Sequence, residues 1–120
     1  MVDMPAKLAG LYRQRTSSAG AAVTLEVRAS TQVGQRIYAI GSAGELGAWN
    51  VARAITMTPT QCQGSTCTWR VTLRYLPTAM STELKFVKKQ AATVQWEAGA
   101  NRTLTVPNAP QFTFAGGDFR

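Results

Sequence analysis

Residues 68–76 read TWRVTLRYL. Trp69, Val71 and Leu73 alternate with Arg70, Thr72 and Arg74, so every second side chain is apolar. Successive side chains of an extended chain point to opposite faces. This period of two predicts a strand with one face on a core and the other in water. Pro77 closes it, because proline has no N–H to give to a strand ladder. Trp69 is expected in the core.

The same pattern recurs in both directions. In VTLEVRAS (23–30), Val23, Leu25 and Val27 alternate with Thr24, Glu26 and Arg28. RIYAIGS (36–42) follows the turn QVGQ, AGELGAWNVARA (43–54) is a loop by its glycines, and AITMT (54–58) is a short strand. STELKFVKK (81–89) puts Leu84 and Phe86 on one face and Glu83, Lys85 and Val87 on the other. TVQWE (93–97), RTLTV (102–106) and an edge strand QFTFA (111–115) complete the set. Seven or eight short strands with turns between them and no core helix predict an all-β fold, an antiparallel sandwich of Ig-like topology. Residues 1–21 read as a tail or linker, with a short helix in AKLAGLYRQR (6–15), and 22–120 as the sandwich domain.

A chain of 120 residues, 45% of them hydrophobic, suits one core. No apolar run is long enough for a transmembrane helix, and the first residues lack the apolar stretch of a secretory signal. The chain is therefore expected to be cytosolic, or else a module of a longer secreted protein. Thirteen Lys and Arg against six Asp and Glu give a net charge of +7. These charges are scattered, which points to a solvated surface rather than a nucleic-acid arm. The absence of histidine removes the commonest general base, the commonest metal ligand and any Ser-His-Asp triad. No cofactor is implied. Cys62 and Cys67 cannot hold zinc alone; the spacing CQGSTC suits a small disulfide, with two reduced thiols as the other reading. A disulfide would favour an extracellular protein.

The remaining tryptophans lie near chain breaks. Trp49, in GELGAWN, either plugs an end of the sandwich or forms a flat platform. Trp96 alternates with Val94, which argues for burial, yet the following AGA leaves room for a bulge that turns the ring outward. Were both rings exposed, they would suit a sugar: a pyranose has an apolar C–H face to lay on a ring and hydroxyls that need partners at its edge. Glu97 and Asn101 would supply an acceptor and a donor beside Trp96, and Lys85 a further donor.

In order and spacing, VTLEVRASTQVGQRIYAIGSAGELGAWNVARAITM (23–57), WRVTLRYLP (69–77), ELKFVKK (83–89) and VQWEAGANRTLTVP (94–107) resemble the starch-binding domains of carbohydrate-binding module family 20. The resemblance covers about residues 22–107 and implies a non-catalytic β-sandwich, part of a larger secreted starch-active enzyme. It would bind starch, maltooligosaccharides or cyclodextrin as a monomer, without nucleic acid or membrane. The family's principal site falls on Trp49, Lys85, Trp96, Glu97 and Asn101, which implies outward-facing Trp49 and Trp96, and its buried tryptophan falls on Trp69. A second family site built on tyrosines is not matched: Val33 stands at one position, and the Cys62–Cys67 loop has no aromatic. The family's frequent acidic residue after Trp-Glu is replaced here by Ala98. Asn101-Arg102-Thr103 is also an N-glycosylation sequon, on an expected ligand residue.

Two other functions compete with this one. A small hydrolase would pair Glu97 with Glu45 across a cleft, for which a sandwich of this size has little room. A single-stranded nucleic-acid binder would stack bases on the exposed rings, with a steep dependence on salt.

Overall fold

The structure is a computed structural model that describes residues 20–120. The expected tail and its short helix lie outside the described residues, apart from Gly20 and Ala21, which already belong to the first strand. Nine strands follow: β1 Gly20–Ser30, β2 Arg36–Gly41, β3 Ile55–Thr56, β4 Thr58–Gln63, β5 Thr66–Pro77, β6 Ser81–Gln90, β7 Thr93–Trp96, β8 Arg102–Thr105 and β9 Gln111–Asp118. They form a four-stranded sheet in the order β9-β1-β5-β4 and a five-stranded sheet in the order β3-β2-β6-β7, with β8 also on β6. The described strands thus build the expected sandwich.

Two details differ from what the sequence predicts. AITMT is not one strand: Ile55–Thr56 joins one sheet, Thr58 starts a strand of the other, and buried Met57 sits at the crossing. The residues between AITMT and the first cysteine, to which the alternation assigns no strand, belong to strand β4, which forms a hairpin with β5 closed by the Cys62–Cys67 disulfide. Both changes raise the strand count. The edge strand β9 runs parallel to β1, whereas all other pairs are antiparallel.

The core is what alternation dictates. Val23, Leu25 and Val27 of β1 lie opposite Leu73, Val71 and Trp69 of β5, and meet Ile37, Ala39, Leu84, Phe86 and Leu104 of the other sheet. Burying each such large side chain stabilises by about 1.5–3 kcal/mol. Trp69 is in this core as expected.

Strand β6 positions the rest. One edge pairs with β2; the other pairs with β8 through Ser81–Leu84 and with β7 through Val87–Gln90. Between these partners the ladder is interrupted opposite Lys85 and Phe86, and residues 97–101 loop across the gap.

Candidate functional site

The outer face of the five-stranded sheet carries a second apolar layer. Ile40 and Val87 point away from the core, yet each is 0% exposed and neither belongs to the core cluster. Ile40 lies opposite Lys85, while Val87 lies between Tyr38 on β2 and Trp96 on β7. Apolar groups this well covered on an outer face require something folded over them, and two loops provide it.

The first loop, residues 42–54, holds Trp49. Gly47, Ala48 and Trp49 take φ of 88°, 51° and 61° in succession, and a bulky residue in this left-handed region is a strained outlier. Hydrogen bonds hold the turn: Trp49 N–H donates to Gly41 O at 2.9 Å, and Ala48 N–H to Ala43 O at 3.0 Å. Ala43 N–H donates in turn to the buried Thr82 hydroxyl at 3.0 Å. A Cβ on Gly41 would lie 2.5 Å from Glu83 O, so only glycine lets this loop close on β6.

The second loop joins β7 to β8. Trp96 shares a face with Val94, as alternation requires, but that face is the outer one, and Trp96 is 41% exposed. Burial inferred from alternation therefore does not hold for this ring. Its cross-strand partner, Val87, is itself outward-facing. The half-buried Trp49 ring lies 6.2 Å from that of Trp96, centroid to centroid, with planes at 44°.

Lys85 sits under the second loop and donates to Glu97 O at 3.0 Å and Gly99 O at 2.6 Å. An ammonium has a further N–H beyond these two. Asn101 is exposed, and its amide donates to Glu83 Oε1 at 3.0 Å. The structure thus brings Trp49, Trp96, Lys85 and Asn101 to one face.

Glu97 goes elsewhere. Its side chain is fully buried, and its carboxylate accepts two bonds of 2.8 Å from the Arg102 guanidinium. It also accepts from Phe86 N–H at 2.9 Å, while Glu97 N–H donates to Phe86 O at 3.2 Å. Glu97 therefore fills the gap in the β6 ladder. The expectation that its carboxylate meets a ligand is corrected, because the group is turned inward and satisfied there; only its backbone carbonyl faces the loop, on Lys85. Burial pushes the carboxyl pKa up, but bonds from Arg102 and Phe86, the Arg102 charge and the Arg120 N–H outweigh it and hold it below its ordinary 4.5. Buried, with both oxygens taken up by Arg102 and Phe86 N–H, the carboxylate is not presented to a cleft, which argues against pairing it with Glu45 in a hydrolase.

Arg102 is a residue that the sequence pattern alone does not single out. It also donates to Gly116 O and Asp118 O of β9, so it pins the loop to the opposite sheet. A signal for it exists, since Arg102 shares the register of Leu104 and Val106. A cation on the apolar register announces a buried partner, and Glu97 stands five residues earlier.

Comparison with known proteins matches this architecture. The family model described as "Starch binding domain" matches residues 20–115. An α-amylase of Streptomyces violaceus is 43% identical over 73% of this chain, which spans only 15% of that relative. Among solved structures, a family 15 glucoamylase of Hypocrea jecorina superposes with a TM-score of 0.76 at 27% identity, over 85% of this chain and 17% of its own. The family 20 module of a maltotetraose-forming amylase from Pseudomonas saccharophila gives 0.60 at 27% identity, over 80% of this chain and 99% of its own. From the matched residues and the fold together, the chain belongs to the starch-binding domain family.

Proposed function

We propose that the outer face of the five-stranded sheet binds α-1,4-glucan without chemistry and directs an attached starch-active enzyme to starch. The observation that carries this reading is the pair of indoles 6.2 Å apart on a solvent-facing sheet. Tilted against each other at 44°, they form a shallow angle rather than a flat slab, which suits the curve of an α-linked glucan. Each ring takes a sugar's C–H face, while the remaining N–H of Lys85 and the Asn101 amide meet hydroxyls at the edge. Glu97 contributes its backbone carbonyl and, through Arg102, the shape of the loop.

The same reading takes maltooligosaccharides and cyclodextrin as soluble ligands, one per monomer. Val33, where a second site would need a ring, is 97% exposed and offers only a small aliphatic group. The Cys62–Cys67 hairpin has no aromatic either. Its disulfide supports an extracellular setting for the longer protein.

Retention on raw starch granules, competed by β-cyclodextrin, tests the function, and titration calorimetry gives the stoichiometry. A ratio near one supports the reading, and no retention overturns it. Single-stranded nucleic acid is the second reading, favoured only by the net charge of +7. Binding that collapses as salt rises would establish it, since a neutral glucan is nearly indifferent to salt.

A further inference from the structure

Lys85 is not the only lysine on the outer face of β6 that grips a loop. Lys89 lies four residues on, on the same face, opposite Arg36 of β2 and Val94 of β7. Its ammonium sits 4.3 Å from the centre of the Tyr38 ring and donates to Val51 O at 3.2 Å. Val51 follows Trp49 by two residues and opens the short 3-10 turn Val51–Arg53. The strained turn through Ala48 and Trp49 is therefore held at Trp49 itself by Gly41 O, and two residues further on by a cation seated on an aromatic ring.

We propose that Lys89 is a positioning residue for Trp49, setting the angle between the two indoles without touching the ligand. A residue at positive φ relaxes toward commoner backbone angles unless its surroundings forbid it. The bond to Gly41 O fixes the Trp49 backbone. Bonds from Asn50 N–H to Gly47 O, Arg53 N–H to Asn50 O and Ala54 N–H to Val51 O tie the exit within the loop, whereas Lys89 bonds Val51 O from β6. Lys89 fixes the exit to the strand, because its Nζ is confined between the Tyr38 ring and the Val51 carbonyl, and a cation over a ring with one carbonyl acceptor has little freedom left. The two lysines have complementary roles, since Lys85 holds the loop bearing Trp96 and Lys89 the loop bearing Trp49, both from one rigid strand. Charge has a use at Lys89 that net charge alone does not reveal.

The inference rests on the glucan-binding reading for its consequence, but not for its geometry, and the two separate experimentally. Two indoles this close couple electronically and give an exciton couplet in far-ultraviolet circular dichroism, which Trp96→Phe should abolish. Lys89→Met keeps the stem and removes the cation. It should diminish the couplet and weaken β-cyclodextrin binding roughly 3- to 10-fold, the loss of one charged hydrogen bond acting at a distance. Lys89→Arg should retain most of both, since a guanidinium also stacks on an aromatic face and donates to a carbonyl, though in a different geometry. Lys88→Met removes the neighbouring cation, which lies over Phe119, and should leave couplet and affinity unchanged. Thermal melting of each variant separates a shifted ring from an unfolded domain. Couplet and affinity at wild-type values in a folded Lys89→Met protein would overturn the proposal, as would an equal loss in Lys89→Arg. If wild type bound no glucan, the functional reading would fall, while the couplet would still decide the role of Lys89.

Discussion

The two outer faces of the sandwich use the same strand geometry for opposite ends. On the four-stranded sheet, cross-strand neighbours satisfy each other: the Thr24 and Thr72 hydroxyls lie 2.9 Å apart, Ser30 and Thr66 2.6 Å, and Glu26 pairs with Arg70. Arg28 pairs with Asp118 at 2.6 Å. On the five-stranded sheet, the outward layer is Tyr38, Ile40, Val87 and Trp96, and its lysines reach for loop carbonyls instead of acids. A face whose polar groups already have partners gains little from a ligand, since any new bond displaces an old one. An apolar face that keeps a ring in solvent does gain.

The contrast can be broken most severely from beneath. Arg102→Met leaves the Glu97 carboxylate buried without its partner, and the domain should lose about 3–5 kcal/mol, read from denaturant unfolding. A smaller loss than that would mean water reaches Glu97 and the loop is not pinned to β9. Trp69→Ala should cost a similar amount, about 3–5 kcal/mol through the cavity it leaves, with no specific effect on ligand.

Acid probes the same ion pair without mutation. Glu97 has a folded pKa below its unfolded value of 4.5, so the unfolded chain takes up the proton more readily. The stability this confers is fully present above 4.5 and is lost as pH falls through the lower folded value. Glu97→Gln should flatten that part of the stability curve; an unchanged acid limb would show that other carboxylates set it.

Next in size is the ligand face itself. Trp49→Ala and Trp96→Ala should each weaken glucan binding by roughly 1–3 kcal/mol, about 5- to 150-fold, while the melting temperature changes little. Wild-type affinity in both variants would remove the platform from the proposed function. The smallest effect belongs to the other face. Arg70→Met breaks an exposed pair and should change stability by less than about 1 kcal/mol and granule binding not at all. Measurable loss of granule binding there would dissolve the distinction between the faces.

Much of this was legible because alternation is a local property. Val23, Leu25, Val27, Leu84 and Phe86 face the core as their spacing requires, and Trp69 lies among them. Alternation tells which residues share a face but not what covers it, which is why Ile40 and Val87 are buried on the outside and Trp96 is exposed. Which side chains meet across the fold is likewise a tertiary matter. The residue pattern around Glu97 suggested a ligand group, whereas its position opposite an interrupted ladder made it a structural plug. Nor could the pattern of β9 reveal its direction, since parallel and antiparallel edge strands alternate alike.

That direction has a mechanical consequence. Because β9 runs parallel to β1, the chain enters β1 at Gly20 at one end of the ladder and leaves β9 beyond Asp118 at the other. Tension between these points loads the β9–β1 hydrogen bonds in shear, so they resist together. Gly20 and Pro77 instead face each other at one end of the antiparallel β1–β5 pair, where tension would open bonds one at a time. Single-molecule pulling across Gly20 and Arg120 should therefore need distinctly more force than pulling across Gly20 and Pro77, and equal forces would refute this.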